Sequence, residues 1–539
     1  MPFERQAART AITSAVFALA SLALAVFFGV DFAVITPQHE GYFLVAVDDA
    51  VRAPIPRRPR HTVMVLVDGL RRDAAETMAS VRRIAEHGQC RVSDQGTYTI
   101  SRPMYALLST GVEVDRVGAR NNDTTTPIGA QSVWESARRS GLVVGGSAHL
   151  GWFPELFPKG FDHYQVLPEL DRDVFQLREL HDVDLFTPDY VDESQHHHGA
   201  HSPETALAVA RVDREIGALL DRLDFDLDTV LVTADHGHLE HGGHGGPQPE
   251  VRYVLACVGG HNVRRLDGRP AMDGRVTAPL LAYLLGVPFP KHMAAIDDGL
   301  DAVFDIGDFG ASPKSEAYVA DRRAAVARFR DANRAELARW TGAPEGHADG
   351  ARWTTFAGQE HARRERRLLV VAAVVVLLSA LRLRLVRRHG PRRWVASAVW
   401  PALALGWVWA IHHALLGDLD FSALNGTSRY VMRATATVAL AATASTLVHV
   451  ALVRNLTRFV FDVTTLLALL LVLEAGHLLA YGWPLAFPLP SPSVRYLPFF
   501  GAFVQCAFAI TSLVASVALL VRERGARRAR AGVGASRPS

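Results

Sequence analysis

Long apolar runs flank a polar stretch in this chain, and the pattern predicts membrane-spanning helices around one large soluble domain. Six runs approach the roughly 20 apolar residues that a helix needs to cross a bilayer; they are residues 11–30, 368–386, 394–416, 430–453, 459–480 and 497–521. We therefore predict an N-terminal anchor over residues 1–36 and a five-span domain over residues 367–521. The first run exceeds the apolar core of about 7–15 residues of a signal peptide, which favours a retained anchor.

The arginines predict the orientation of these spans, because cytoplasmic loops are enriched in Lys and Arg. Six arginines lie in residues 382–393 and six more follow residue 521, on the same side as the N-terminus in a six-span arrangement. Four arginines within residues 363–367 fall on the other side and oppose it. The balance predicts cytoplasmic termini, a basic cytoplasmic tail over residues 522–539, and a soluble domain on the periplasmic or extracellular side of a bacterial membrane.

Short apolar runs alternate with helical patterns in residues 61–300. Runs typical of strands buried on both faces are HTVMVLV (61–67), GLVVGGS (141–147), TVLVT (229–233) and YVLACV (253–258). The clearest helix is predicted over residues 203–222, with Ser202 as its cap and Pro203 in its first turn. Its apolar stripe consists of Leu207, Val212, Ile216, Leu219 and Leu220. This alternation predicts an α/β fold with a mostly parallel sheet flanked by helices, followed by a helical linker over residues 301–366.

Charge and cysteine usage argue against three possibilities. The net charge of +2 gives no case for a nucleic-acid partner. None of the three cysteines, Cys90, Cys257 and Cys506, lies in a CxxC pattern. The sequence therefore predicts neither a thiolate zinc site nor a disulfide framework.

Acidic and imidazole side chains follow two predicted strands directly. Asp68 follows VMVLV, and Asp235 with His236 follows TVLVTA. Since ligands gather at the carboxyl ends of strands in such folds, we expect these residues to form one site. Three further candidates lie in VDESQHHHG and HGGHGGP, namely Asp192, His196 and His244. An oxygen and nitrogen set without sulfur suits two divalent cations, zinc or manganese.

Ser101 has the local setting of a nucleophile. It precedes Arg102 and Pro103, and MYALLSTG continues as a short predicted helix. We expect Ser101 at the N-cap, where backbone N–H groups and the helix dipole favour a bound phosphate. A divalent cation beside its hydroxyl would favour the alkoxide at neutral pH.

The motifs DGLRRD, TISRPMYALLSTG, DESQHHHG, ADHGH and GGHGGPQPEV, in this order, resemble those of the alkaline phosphatase superfamily. The resemblance is narrower to the type I phosphodiesterase/nucleotide pyrophosphatase branch and the related GPI ethanolamine-phosphate transferases, over about residues 61–300. It implies one metal on Asp68, Ser101, Asp235 and His236, and another on Asp192, His196 and His244. It also implies that Asn122 holds a phosphoryl oxygen, with Asn121 as the alternative.

Two departures bear on the subfamily. Many relatives carry Thr in place of Ser101, which preserves the hydroxyl. A sulfatase needs x-Pro-x-Arg after its Cys or Ser, and Tyr105 stands where that Arg would be. Other loop histidines are expected to be solvated: His197, His198, His201, His238 and His241. Of these, His201 and His241 are the candidates to assist the ligands or replace His244.

Three functions stay open on the sequence. The first is a membrane-anchored phosphodiesterase or phosphatase, in which water resolves a phospho-Ser101 intermediate. The second is a phosphoethanolamine-type transferase, in which a glycan or lipid hydroxyl resolves it. The third is a lipid-binding or transport protein with a structural metal site, which the retained nucleophile and ligands oppose. We expect a phosphoester substrate that is a lipid or lipid-linked, and Glu474 and His477, ionisable residues within a predicted span, are candidates for its head group.

Overall fold

The computed structural model describes residues 58–293, except 118, 120, 121, 123, 177 and 178. It also describes two helices at residues 427–453 and 492–534, residues 406–411, and a few single or paired residues elsewhere. The soluble domain is therefore described over most of the predicted range of 61–300. The boundaries predicted for the anchor, linker, membrane domain and tail stay predictions.

A sheet of eight strands lies at the centre of the described domain. In chain order the strands are β1 Thr62–Leu66, β2 Gly88–Asp94, β3 Val144–Ala148, β4 His163–Val166, β5 Val183–Thr187, β6 Thr229–Thr233, β7 Tyr253–Gly260 and β8 Ala271–Asp273. Their spatial order is β4-β3-β5-β1-β6-β7-β2-β8. Strand β7 is antiparallel to both of its neighbours, and the other adjacent pairs are parallel. The α/β class and the mostly parallel sheet are thereby confirmed.

Helices cover both faces of this sheet. In chain order they are α1 Arg72–Ala75, α2 Ala79–Glu86, α3 Ser101–Thr110, α4 Val114–Val117, α5 Val133–Arg139, α6 Trp152–Leu156, α7 Tyr190–His198, α8 Pro203–Leu220, α9 Pro249–Arg252 and α10 Thr277–Leu285. Strand β1 contributes Met64 and Leu66 to one core, together with residues of α3, α5 and α10. Its Val63 and Val65 join the other core, with residues of α2 and α8. This two-sided burial explains the continuous apolar run in its sequence.

Helix α8 begins as predicted, but its apolar stripe is narrower than predicted. The Ser202 hydroxyl accepts the Thr205 N–H at 3.1 Å, and Pro203 opens the helix. Val212 and Ile216 are buried, whereas Leu207 is 71% exposed. The assignment of Leu207 to the stripe was wrong, because five residues of helix turn it about 140° away from Val212.

A disulfide joins Cys90 of β2 to Cys257 of β7, which corrects the expectation that the cysteines form none. The two residues are 167 positions apart in sequence, and the antiparallel register places them directly opposite each other. Spacing rules based on neighbouring cysteines could not find this pair, since only the pairing of two distant strands brings them together.

Two described helices fit predicted membrane spans. They are α11 Thr427–Val453 and α12 Pro492–Gly534. Their segments Thr435–Leu452 and Cys506–Ala526 are apolar and long enough to cross a bilayer. The other four predicted spans and the linker over residues 301–366 fall outside the described residues, apart from residues 406–411 and a few other positions.

The two helices contact each other, in part through polar groups. The hydroxyls of Thr446 in α11 and Thr511 in α12 lie 3.2 Å apart. Nearby, Nε2 of His449 lies 3.2 Å from a carboxylate oxygen of Asp462, and both side chains are buried. This ionisable pair was not anticipated from the sequence.

Candidate metal centre and nucleophile

The site lies at the carboxyl ends of three adjacent strands, β5, β1 and β6. Asp68 comes two residues after β1, and Asp235 two residues after β6. Asp192 lies on α7, which follows β5. Because β1 pairs in parallel with both β5 and β6, their carboxyl ends meet at one edge and bring these three carboxylates together.

One group of ligand-type atoms converges on His236. Its Nε2 lies 3.5 Å from Oδ1 of Asp68 and 3.2 Å from Oδ2 of Asp235. Neither of these buried carboxylate oxygens has a hydrogen-bond partner among the described residues. Buried carboxylate oxygens are normally paired, so this arrangement fits a divalent cation.

A second group lies around Asp192. Its Oδ2 is 3.2 Å from Nε2 of His196, and the same nitrogen is 3.2 Å from Nε2 of His244. His244 also lies 3.8 Å from the other oxygen of Asp192. These atoms match the second predicted ligand set, and one carboxylate with two imidazoles suits zinc.

The two groups are neighbours. The rings of His236 and His244 stack with their centroids 3.7 Å apart and an interplanar angle of 11°. The structure therefore brings together all six residues that the sequence predicts as protein ligands besides Ser101. Their roles as ligands remain predictions.

The electrostatics of the site favour cations. Burial, reinforced by neighbouring carboxylates, raises the pKa of Asp68 and of Asp235 well above the usual value. Burial lowers the pKa of His236 and brings the pKa of His244 down to about 3, so both rings are neutral at pH 7. Neutral imidazoles can bind a metal ion directly, and carboxylates that raise each other's pKa are stabilised in their ionised form by a cation between them.

Asp192 differs from the other two carboxylates. Burial alone would raise its pKa, but the electrostatic attraction and hydrogen bonds that His196 and His238 provide outweigh burial and lower that pKa well below the usual value. The Asp192 carboxylate is therefore held in its ionised form by the imidazoles around it.

Ser101 lies beside the first group. Its Oγ is 3.2 Å from Nε2 of His236, and its side chain is buried. Ser101 is the first residue of α3, with Ile100 at the N-cap, so the predicted cap position was wrong by one residue. The hydroxyl still lies at the amino end of the helix, where the dipole favours an anion.

Asn122 also lies at this end of α3. Its Oδ1 accepts the backbone N–H of Arg102 at 3.0 Å, which leaves its amide NH₂ to donate elsewhere. Asn121, the alternative, falls outside the described residues. The Arg102 guanidinium stacks on Trp152 at 4.7 Å and pairs with Glu155 at 2.7 Å.

Sequence reasoning missed His238. It was expected to be solvated, but it is fully buried, and its Nε2 lies 2.6 Å from Oδ1 of Asp192. Its position two residues after His236 was the one signal available. The other loop histidines set aside with it are exposed, as expected: His197, His198, His201 and His241.

Two more contacts to the carboxylates were missed. The Tyr105 hydroxyl donates to Oδ2 of Asp68. The backbone N–H of Gly69 donates to Oδ1 of Asp235 at 3.2 Å. Asp189, at the start of α7, adds a fourth carboxylate. It is buried, and neither of its oxygens has a hydrogen-bond partner among the described residues.

Comparison with known families supports the resemblance seen in the motifs. The family model described as type I phosphodiesterase/nucleotide pyrophosphatase matches residues 157–241. This segment includes Asp192, His196, Asp235 and His236. Asp68, Ser101, Asn122 and His244 lie outside it.

Curated relatives include the catalytic subunit of GPI ethanolamine phosphate transferase 3 from two mammals. The mouse protein is 26% identical over 310 residues, which is 49% of this chain and 27% of the relative. The human protein is 27% identical over 270 residues, which is 42% of this chain and 24% of the relative. The chain thus spans about a quarter of the length of these relatives.

Solved structures to which the chain is similar include murine ectonucleotide pyrophosphatase/phosphodiesterase 5, at 14% identity and a TM-score of 0.39, covering 46% of this chain and 100% of that one. The wild-type alkaline phosphatase PafA has 10% identity and a TM-score of 0.37, covering 47% of this chain and 100% of that one. The named family and the curated relatives are enzymes that act on phosphoesters. The chain therefore resembles the type I phosphodiesterase/nucleotide pyrophosphatase family and the GPI ethanolamine phosphate transferases, as its motifs indicate.

Proposed function

We propose that this chain is a membrane-anchored, metal-dependent enzyme that cleaves phosphoesters through a covalent intermediate on Ser101. One observation carries the proposal: the Ser101 hydroxyl and unpaired oxygens of Asp68 and Asp235 all lie within 3.5 Å of the same nitrogen of His236. A site for metal-assisted phosphoryl transfer has this arrangement, in which a nucleophile lies among buried ligand atoms that have no hydrogen-bond partner.

Two divalent cations fit this site, and zinc and manganese are the candidates. Asp68, Asp235, His236 and Ser101 would hold one of them. Asp192, His196 and His244 would hold the other. When bound, the cations lower the pKa of the Ser101 hydroxyl and offset the charge on the phosphoryl oxygens.

The proposed reaction has two half-reactions, and Ser101 takes part in both. The oxygen of Ser101 attacks phosphorus, the bond from phosphorus to the leaving oxygen breaks, and the proton of the hydroxyl ends on the leaving alcohol. In the second half-reaction a water molecule attacks the phosphoserine, which restores the Ser101 hydroxyl and releases the phosphate product.

Two features orient the substrate. Helix α3 directs its amino end toward the phosphoryl group, whose negative charge the helix dipole favours. Asn122 is tied to the Arg102 N–H through its oxygen, so its amide group can donate to a phosphoryl oxygen.

The disulfide supports a location of this domain outside the cytoplasm. Disulfides persist in oxidising compartments and are rare in the cytosol, and the Cys90–Cys257 bond joins two adjacent strands of the domain. We propose six spans, cytoplasmic termini and an external catalytic domain in a bacterial-type membrane. Helices α11 and α12 supply two of those spans.

Transfer of phosphoethanolamine is the second candidate function, and the similarity to the mouse and human transferases favours it. The first half-reaction would be the same, and an acceptor hydroxyl of a glycan or lipid would replace water in the second. A lipid such as phosphatidylethanolamine would then be the donor. Glu474 and His477, the proposed contacts for its head group, lie outside the described residues.

The first experiment tests the chemistry. Purified full-length protein, supplied with zinc or manganese, is expected to hydrolyse bis-p-nitrophenyl phosphate. Ser101→Ala should lower the rate by on the order of 10³-fold or more, because the nucleophile is lost. Ser101→Thr is the matched control, since it keeps a hydroxyl and should keep measurable activity. If no phosphoester is turned over with any divalent metal, a lipid-binding role replaces the enzyme.

The second experiment separates hydrolysis from transfer. The protein is incubated in vesicles with phosphatidylethanolamine labelled in its head group, with and without a glycan or lipid acceptor. Release of soluble phosphoethanolamine would support the hydrolase. Label that appears on the acceptor only when Ser101 is intact would support the transferase.

A further inference from the structure

Three buried histidines near the proposed metal centre differ in the group that their Nδ1 nitrogen contacts. The rings of His236, His238 and His244 lie within 5.7 Å of one another, centroid to centroid. Together with Asp192 they offer atoms that lie within 4.8 Å of one another. By proximity alone, each of the three could be a metal ligand. Their hydrogen bonds distinguish them.

His236 and His244 each place Nδ1 against a carbonyl oxygen. The partner of His236 is the oxygen of Gly237 at 3.2 Å, and the partner of His244 is the oxygen of Thr99 at 2.9 Å. A carbonyl can only accept, so Nδ1 carries the hydrogen in both neutral rings. Nε2 then has a free lone pair directed at the carboxylates, which is the usual arrangement of a metal-bound histidine.

His238 has the reverse arrangement. Its Nδ1 accepts the backbone N–H of Gly243 at 3.0 Å. An amide N–H can only donate, so the neutral ring carries its hydrogen on Nε2. That nitrogen lies 2.6 Å from Oδ1 of Asp192 and donates to it. No lone pair is left on His238 for a cation.

The loop around His238 holds this arrangement in place. The Arg71 guanidinium donates to the carbonyl of His238 at 2.7 Å. The N–H of Leu239 donates to the carbonyl of Gly243 at 3.0 Å, which closes the turn that presents the Gly243 N–H to the ring. The tautomer of His238 therefore follows from the backbone of its own loop.

We propose that His238 is a positioning residue for the second cation and not one of its ligands. It holds Oδ1 of Asp192, so that Oδ2 faces Nε2 of His196 at 3.2 Å and stays available to the cation. Without that hydrogen bond the Asp192 carboxylate can rotate about its last torsion and lose this orientation. The inference rests on the proposed metal-dependent function and adds a residue to it.

Two substitutions separate positioning from ligation. His238→Gln keeps an N–H donor near the place of Nε2, whereas His238→Met has similar size and no donor. His241→Gln, three residues along the same loop and exposed, is the matched control. Zinc affinity of the full-length, metal-stripped protein is measured by chelator competition, and the number of imidazoles per zinc by X-ray absorption.

The expected result is that wild type binds two zinc ions with three imidazoles between them. His238→Met should weaken binding of one zinc by about 10- to 100-fold, the usual effect of losing a residue that orients a ligand. His238→Gln should restore most of that affinity and leave the imidazole count unchanged. His241→Gln should behave as wild type.

Other results would overturn the inference. A fall in imidazole count in His238→Gln would make His238 a ligand. Zinc affinity that is unchanged in His238→Met would leave His238 no role in positioning. If that variant does not fold, a loss of zinc affinity of about 10-fold or more in the folded His238→Gln would contradict the proposal. Failure of wild type itself to bind zinc or manganese would instead contradict the proposed function.

Discussion

Gly69 packs its bare α-carbon directly against Asp192. A Cβ on Gly69 would lie 2.8 Å from Oδ1 and 2.9 Å from Cα of Asp192. The residue has a φ of +71°, its N–H binds Asp235, and its carbonyl accepts the side-chain amide of Gln195 at 2.7 Å. This single glycine therefore sets the spacing between the ends of β1 and β6 and helix α7.

Replacing this glycine should damage the metal centre specifically. Gly69→Ala is expected to destabilise the domain by about 1–2 kcal/mol for the positive φ, and by about 1–3 kcal/mol more for overpacking against Asp192. It should also weaken zinc binding. Gly141→Ala is the matched control, because Gly141 has a φ of +82° with nothing within 4 Å of its Cβ. Urea unfolding and chelator competition measure the two effects, and equal zinc affinity in both variants would contradict the assignment.

The Tyr105 hydroxyl is expected to support Asp68. Tyr105→Phe keeps the ring stacked on Phe153, with centroids 4.6 Å apart, but removes the donor to Asp68. Leaving a buried carboxylate oxygen without a donor should cost about 1–3 kcal/mol of unfolding free energy, and zinc affinity should fall about tenfold.

Tyr190→Phe is the control for that change. It also removes a hydrogen bond to a carboxylate, from Tyr190 to Glu215 at 2.6 Å, but that carboxylate is not one of the predicted ligands. It should lower stability without altering zinc affinity. Zinc binding that falls equally in both variants would show a general loss of structure in place of a local effect at Asp68.

The disulfide should contribute to the stability of the catalytic domain. Replacing Cys90 and Cys257 together by Ala is expected to lower the unfolding free energy by about 2–5 kcal/mol. Dithiothreitol should reduce the stability of wild type to the same level and leave the double variant unchanged. Cys506→Ala, at a cysteine of α12 that is not part of this disulfide, should have no such effect. Insensitivity of wild type to reductant would mean that the bond is absent in the isolated protein.

The ion pair between Asp94 and Arg252 should make the stability of the domain depend on pH. Asp94 binds Arg252 through both oxygens at 2.5 Å, and although burial opposes the shift, this pairing lowers the pKa of Asp94. Since the unfolded state then binds protons more readily, the contribution is complete above the unfolded pKa of about 3.9 and is lost as pH falls through the lower folded value.

The difference in unfolding free energy between wild type and Asp94→Asn should therefore be constant from pH 5 to 7 and shrink below about pH 4. Urea unfolding at several pH values measures it. If this difference in unfolding free energy grows as pH falls, the pKa of Asp94 is not lowered in the folded protein.

Much of the site could be predicted from sequence because its residues are local to recognisable elements. Asp68 and Asp235 follow apolar strands, and the parallel pairing of β1 with β6 brings their ends together. Asp192 and His196 lie one helical turn apart, and Ser101 opens α3. Strand ends, helical spacing and helix starts are properties of short segments, so the sequence alone determined the fold class and the predicted ligand set.

Tertiary structure decided the features that depend on segments distant in the chain. His238 looked like one of several loop histidines, and only the backbone of Gly243 and the carboxylate of Asp192 give it a partner on each nitrogen. Cys90 and Cys257 meet only through the register of β2 with β7. Burial and hydrogen-bond direction arise from packing between remote elements, and no local pattern in the sequence records them.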